Sequence, residues 1–177
     1  MHGLIFGGLR EYAAQRLGQQ AAAELWDGRD YDLDSAFPDD EFFAQLERVR
    51  TAAAISHEEL ERDFGSFTAQ TLFVRLFPDY YGANEGVVPF LLGIEEKIHE
   101  VVRATIPGTS PPKLHVQPLG EEGVLISYTS ERQLCGLLEG LVSGSAAHYG
   151  EQVALEEIQC MHRGDPGCVF TAQVETS

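Results

Sequence analysis

Tyr128-Thr129-Ser130-Glu131-Arg132 is the stretch whose reading decides the fold. Alternate side chains share a face of an extended segment, so the phenol, the hydroxyl and the guanidinium are expected to point the same way. Three donors on one face, one of them a planar fork, suit a pair of carboxylates. Just upstream, Leu114 and Val116, then Val124, Ile126 and Tyr128, alternate with other residues around a turn at 120–123. That period of two predicts a hairpin. Downstream, Leu134 to Tyr149 has helical spacing. Two more strands are expected at about Val153 to Cys160 and Cys168 to Val174, joined by Arg163-Gly164-Asp165-Pro166-Gly167.

Further upstream the pattern is helical. Leu4, Ile5, Leu9, Tyr12, Ala13 and Leu17 recur at helical spacing between Gly3 and Gly18, and a short helix is expected around Ala21 to Trp26. Asp39 or Asp40 should cap a helix through about Ala54, and Ser56 with Glu59 forms a capping box for another that ends near Gly65. Ser66 to Leu76 reads as the next helix, stopped by Pro78. Val88 to Thr105 follows, with Pro89 in its first turn, His99 inside it and Pro107-Gly108 as its stop. Helices first, then a small antiparallel sheet with one inserted helix, is an α+β plan.

Composition limits what this fold can do. The chain has 177 residues, enough for one domain that encloses a cofactor, and 44% of them are hydrophobic. No apolar run approaches the roughly 20 residues that span a bilayer, and the opening lacks a secretory pattern, so a cytoplasmic protein without a membrane partner is expected. Lys and Arg number 12 against 28 Asp and Glu, a formal net charge of −16, which disfavours nucleic acid as a partner. Acids crowd 27–47 and read as a solvated surface. Three cysteines without an export signal argue for reduced thiols or a metal site rather than a disulfide scaffold.

Four features stand in a fixed order: the opening Met1-His2-Gly3-Leu4-Ile5-Phe6, His99 on its helix, Pro112, and Tyr128-x-Ser130-x-Arg132 ahead of an aliphatic helix. This set resembles the heme-nitric oxide/oxygen binding (H-NOX) family, the gas-sensing domain also found in soluble guanylate cyclase, over nearly the whole chain. The resemblance implies one domain, with 1–60 a distal helical subdomain and 61–177 a heme-proximal subdomain that includes the sheet. It implies a b-type heme whose iron takes His99 as proximal ligand and whose propionates are held by Tyr128, Ser130 and Arg132. Ile5 and Pro112 match positions that press on the porphyrin. Without the resemblance, His2, His57, His115, His148 and His162 would compete with His99, and Glu95 and Glu96, a turn before it, read as an exposed helix face.

Members of the family that hold oxygen stably commonly place a tyrosine on the helix after the Tyr-x-Ser-x-Arg motif, and the matching position here is Leu137. Ala69, Phe73 and Leu141, with Ile5 and Leu9, are expected to complete an apolar distal wall. Bound oxygen carries partial negative charge and gains from a donor, whereas nitric oxide binds ferrous iron strongly without one. The expectation is a nitric oxide sensor, also open to carbon monoxide, and not an enzyme. Release of His99 would pass the signal to a separate histidine kinase, diguanylate cyclase or chemoreceptor.

Cys135, Cys160 and Cys168 form a second group, the last two flanking a glycine turn. In some bacterial members of the family three cysteines and a histidine hold structural zinc in this region. The family histidine is replaced by Glu157, which leaves Glu157 or His162 as the fourth ligand. A thiol enzyme built on Cys160 or Cys168 with His162 lacks an orienting acid. The Cys-turn-Cys segment also resembles the vinyl reductase-like small-molecule binding domains, so a heme-free, zinc-stabilised adaptor is the alternative.

Overall fold

The structure, a computed structural model, describes residues 1–33, 35–105, 108 and 110–175. Helices α1 (Gly3–Leu17), α2 (Gln19–Trp26) and α3 (Asp39–Ala53) come first, close to their expected bounds. Pro38, not an aspartate, occupies the N-cap of α3. Asp39 is drawn away from capping: its carboxylate receives the Met1 ammonium at 2.6 Å and faces Arg132.

Ser56 caps α4 (His57–Thr68) as expected, its Oγ accepting the Glu59 N–H at 3.1 Å. The helix does not stop at Gly65. It continues through a π-helical turn, Ala69–Phe73, into α5 (Val74–Leu76), and the short α6 (Pro78–Gly82), which the sequence reading passed over, follows with Pro78 at its first position. The boundary expected after residue 60 therefore falls inside α4. The expected helix around His99 is also interrupted: α7 (Val87–Ile94) runs into a π-helical turn, Glu95–His99, and then α8 (Glu100–Thr105). Its expected stop at Pro107 lies outside the described residues. π-Helical turns inside α-helices concentrate at functional positions. These two fall on Ala69 and Phe73, and on His99.

The hairpin is formed by β1 (Lys113–Pro118) and β2 (Gly123–Thr129), with Leu114 opposite Tyr128. Helix α9 (Cys135–His148) is followed by β3 (Val153–Gln159) and β4 (Cys168–Val174), and the four antiparallel strands are ordered β1-β2-β4-β3. The inward residues Val124, Ile126, Phe170 and Ala172 are buried with Phe90, Leu91, Leu138 and Val142 in one hydrophobic cluster. A second cluster joins the first four helices through Phe6, Leu9, Trp26, Phe42, Val49, Leu60 and Phe64. Helix α9 is the seam: Leu134, just before it, belongs to the helical cluster, whereas Cys135, Leu138 and Val142 belong to the other.

Glycines set how closely α9 approaches α4. A Cβ at Gly140 would lie 2.1 Å from the Arg62 carbonyl oxygen, one at Gly144 2.6 Å from that of Ser66, and one at Gly65 2.4 Å from that of Leu137. Gly65 is thus an interior contact residue, which explains why the helix runs past it. The N-terminus of α9 has no local side-chain cap, but Glu61 reaches across from α4 and accepts the Leu137 N–H at 3.3 Å. No helix among the described residues is long and apolar enough to cross a membrane.

Candidate functional site

His99 ends the π-helical turn with its side chain 17% exposed. Its Nδ1 lies 3.0 Å from Glu95 Oε2. The same carboxylate oxygen accepts the Leu114 N–H at 3.1 Å, and its other oxygen is held by the Arg103 guanidinium, which also donates to the Pro112 carbonyl at 3.3 Å. Burial would raise the Glu95 pKa, but Arg103 and then His99 outweigh it and hold the group below its usual value. Burial, joined by the Arg103 charge, outweighs Glu95 and lowers the His99 pKa, which favours the neutral imidazole. A carboxylate can only accept, so the ring proton sits on Nδ1 and Nε2 carries a lone pair. No hydrogen-bond partner of Nε2 is found among the described residues.

Of the three motif donors, Tyr128 alone stands on the strand. β2 ends at Thr129, so Ser130 and Arg132 lie in the turn before α9, and the expectation of three donors on one strand face is corrected. The turn, not the pleat, determines where Ser130 and Arg132 sit. Ser130 Oγ accepts the Arg132 N–H at 3.2 Å. Burial pushes the Tyr128 phenol up to about 12, against the smaller opposing pull of hydrogen bonds to Ser130 and the Leu134 backbone. Arg132 donates through Nη1 to the Ser110 carbonyl, and its Nε lies 2.9 Å from Asp39 Oδ2. That Nε is buried yet poorly aligned for a hydrogen bond, and it has no other partner among the described residues. For Asp39, burial is outweighed by the N-terminal ammonium and the Arg132 charge, so its carboxyl stays below the usual range.

This donor set fits a heme. A neutral imidazole on a packed helix offers iron a nitrogen, and a guanidinium with a buried, unsatisfied N–H suits a carboxylate.

Of the expected distal residues, four belong to or pack on the two clusters. Leu9 and Ala69 are fully buried, Ile5 and Leu137 pack on the helical cluster, and Phe73 packs on the sheet cluster with its ring edge-on to Phe77 at 5.9 Å. Leu141 is half-buried, one turn along α9 from Leu137. None of these side chains carries a hydrogen-bond donor.

Cys135, Cys160 and Cys168 are all buried and reduced, and one ligand atom from each, together with a Glu157 oxygen, lies within 4.8 Å of every other. Cys135 Sγ and Cys160 Sγ are 3.8 Å apart. Two thiolates at tetrahedral angles, each about 2.3 Å from zinc, are separated by about 3.8 Å. Burial first, then the neighbouring thiol of Cys168, raises the Cys135 pKa, and burial and Glu157 raise that of Cys160. His162 stands apart from the cluster, with its Nε2 2.8 Å from the Gln133 carbonyl on an exposed turn. Glu157, the carboxylate that does join the thiols, is also paired with Arg163 at 2.6 Å.

The family model described as Haem-NO-binding matches residues 2–157. Solved structures share the fold. An H-NOX protein from S. oneidensis in the Fe(II)NO ligation state is 24% identical with a TM-score of 0.90, the match covering 99% of this chain and all of that one. An oxygen-binding H-NOX domain related to soluble guanylate cyclases is 22% identical with a TM-score of 0.86, covering 99% and 96%. A single-site mutant of the K. algicida H-NOX protein, in its unliganded Fe(II) state, is 17% identical with a TM-score of 0.83, covering 100% and 98%. A comparison with curated protein sequences finds no match. Nothing in these likenesses favours the heme-free adaptor, because they extend across helices and sheet alike. The family model's extent settles the identification: this chain belongs to the Haem-NO-binding, or H-NOX, family of heme-based gas sensors, which are not enzymes.

Proposed function

We propose that the chain is a cytoplasmic nitric oxide sensor that binds b-type heme through His99 and signals to a separate partner protein when that ligand is released. The observation that carries the reading is the geometry at His99, a largely buried ring whose Nδ1 is engaged by Glu95 at 3.0 Å, which leaves Nε2 for a metal. Heme, when bound, would supply the iron that takes a diatomic gas, nitric oxide or carbon monoxide. Tyr128, Ser130 and Arg132 hold the propionates, with Asp39 yielding its place beside Arg132. Ile5 and Pro112 press on the macrocycle, and Arg103 steadies Pro112 through its carbonyl. Once released, His99 would move with α8, and that movement would shift helices against the sheet. The partner is a histidine kinase, diguanylate cyclase or chemoreceptor.

The apolar wall at Leu137 makes the gas preference testable. The ferrous protein is expected to change its Soret band with nitric oxide and not to retain oxygen in air. Leu137→Tyr adds a hydroxyl on the distal helix and should slow oxygen loss about 10-fold to 100-fold, the range of one charge-assisted hydrogen bond. Stable oxygen retention by the unaltered chain in stopped-flow spectra would contradict the assignment.

Propionate anchoring predicts a ranking. Arg132→Ala should weaken heme retention about 10-fold to 100-fold, and Ser130→Ala only several-fold, measured by heme transfer to an apo-globin acceptor. Equal transfer rates in the two variants would count against Arg132 as the main anchor.

The thiol cluster supports a zinc site of Cys135, Cys160, Cys168 and Glu157. Zinc must displace protons that these thiols hold tightly, so its affinity should fall as pH falls. Metal analysis after purification without chelator is expected to give one zinc per chain, lost on acidification and absent from Cys168→Ser. Metal-free wild-type protein would leave the thiols as a buried reduced cluster.

A further inference from the structure

One carboxylate does more at this site than the fold requires. Glu95 sits one π-helical turn before His99, where an exposed face was expected, and is instead only about a quarter exposed. Its Oε2 meets both His99 Nδ1, at 3.0 Å, and the Leu114 N–H, at 3.1 Å, while Oε1 is occupied by Arg103. The i,i+4 spacing brings the carboxylate to the ring nitrogen that iron would not use, and the same carboxylate reaches the start of β1 at Leu114.

We propose that Glu95 is the positioning residue for the axial ligand: it strengthens the bond from His99 to iron and ties the breaking of that bond to strand β1. The proposal rests on His99 being the heme ligand. A hydrogen bond from Nδ1–H to an anion shifts electron density towards Nε2 and makes the imidazole a better donor than one bonded to a neutral carbonyl. It also fixes the ring plane and the tautomer. Glu95 thereby opposes release of His99, and sets how readily nitric oxide breaks the bond. Because the same oxygen holds Leu114, whose strand partner is Tyr128, movement of His99 pulls on the edge of the sheet next to the propionate anchor. Arg103 balances the carboxylate's charge and links it to Pro112, so ligand, sheet edge and the residue pressing on the porphyrin share one ionic centre.

The test uses heme-loaded protein and resonance Raman spectroscopy of the ferrous, unliganded state. The iron–histidine stretch should fall in frequency in Glu95→Gln, where a neutral acceptor remains, and fall further in Glu95→Leu. Formation of the five-coordinate nitric oxide complex should speed up by about tenfold in Glu95→Gln, the lower end of the range for a charge-assisted hydrogen bond. In unaltered protein with carbon monoxide bound, the His99 Nδ1–H proton should resonate far downfield and exchange slowly with solvent, a measurement that needs no variant to fold. An iron–histidine band at one frequency in all three sequences, or a rapidly exchanging Nδ1–H, overturns the role of Glu95 while leaving His99 as ligand. A spectrum without any such band, unchanged in His99→Gly, would defeat the ligand assignment itself.

Discussion

His99→Gly should abolish the iron–histidine band completely while leaving a folded protein, and added imidazole should restore the band. The first half follows from the donor set, because His99 places a neutral ring nitrogen on a packed helix and the substitution removes it. Folding should survive for reasons of scale. The variant gives up one hydrogen bond to a charged group, about 1.5 to 3 kcal/mol, and adds about 1 kcal/mol for glycine inside a helix. Domains are commonly stable by about 5 to 15 kcal/mol, so a native circular dichroism spectrum is expected. Restoration follows from Glu95, which keeps its contacts with Leu114 and Arg103 when the ring is gone and can accept an N–H from free imidazole. A ferrous spectrum identical to that of the unaltered protein would show that another residue ligates the iron.

The chain declares its fold and its ligand more openly than it declares their support. Periodicity placed the longer helices, the hairpin and β4 because each of these elements has one wet face and one dry face. It failed where tertiary contact replaced solvent. Gly65 looked like a helix stop because glycine usually ends helices, yet here it marks backbone contact with α9. Asp39 looked like a cap, but the Met1 ammonium and Arg132 claim its carboxylate, and both lie far from it in sequence. The π-helical turns were not legible, because they are defined by their backbone hydrogen bonds rather than by a residue type. Glu95 was legible as an acid a turn before the ligand, and its partners were not, because Leu114 and Arg103 meet it only once β1 docks against the helix. The same holds for the fourth member of the thiol cluster. Glu157 and His162 were both open from spacing, and only the packing of β3 and β4 against α9 shows that the Glu157 oxygen joins the sulfurs.

Gly140→Ala should be among the most damaging single-methyl additions to this protein. The new Cβ would stand 2.1 Å from the Arg62 carbonyl oxygen and 2.8 Å from its carbon, and both are backbone atoms of α4 that no rotamer change can move aside. The two helices must part, with an overpacking cost of about 3 kcal/mol. Alanine returns about 1 kcal/mol of helix propensity, leaving a net loss of about 2 kcal/mol. At roughly 2 to 4 °C per kcal/mol for a chain of this size, Tm should fall by about 4 to 8 °C in differential scanning calorimetry. Gly82→Ala is the control: its added Cβ meets nothing within 4 Å, and the change should be neutral or slightly stabilising. The consequence reaches the heme pocket, because α9 carries Leu137 and Leu141 whereas the α4 rod continues into Ala69 and Phe73. Separating the rods also pulls Glu61 from the Leu137 N–H, which it caps. Gly140→Ala should therefore alter the rate of nitric oxide binding at temperatures where the protein is still folded, and Gly82→Ala should not. An unchanged Tm and an unchanged binding rate together would mean that the helices accommodate the methyl group and that their close approach does not set the distal wall.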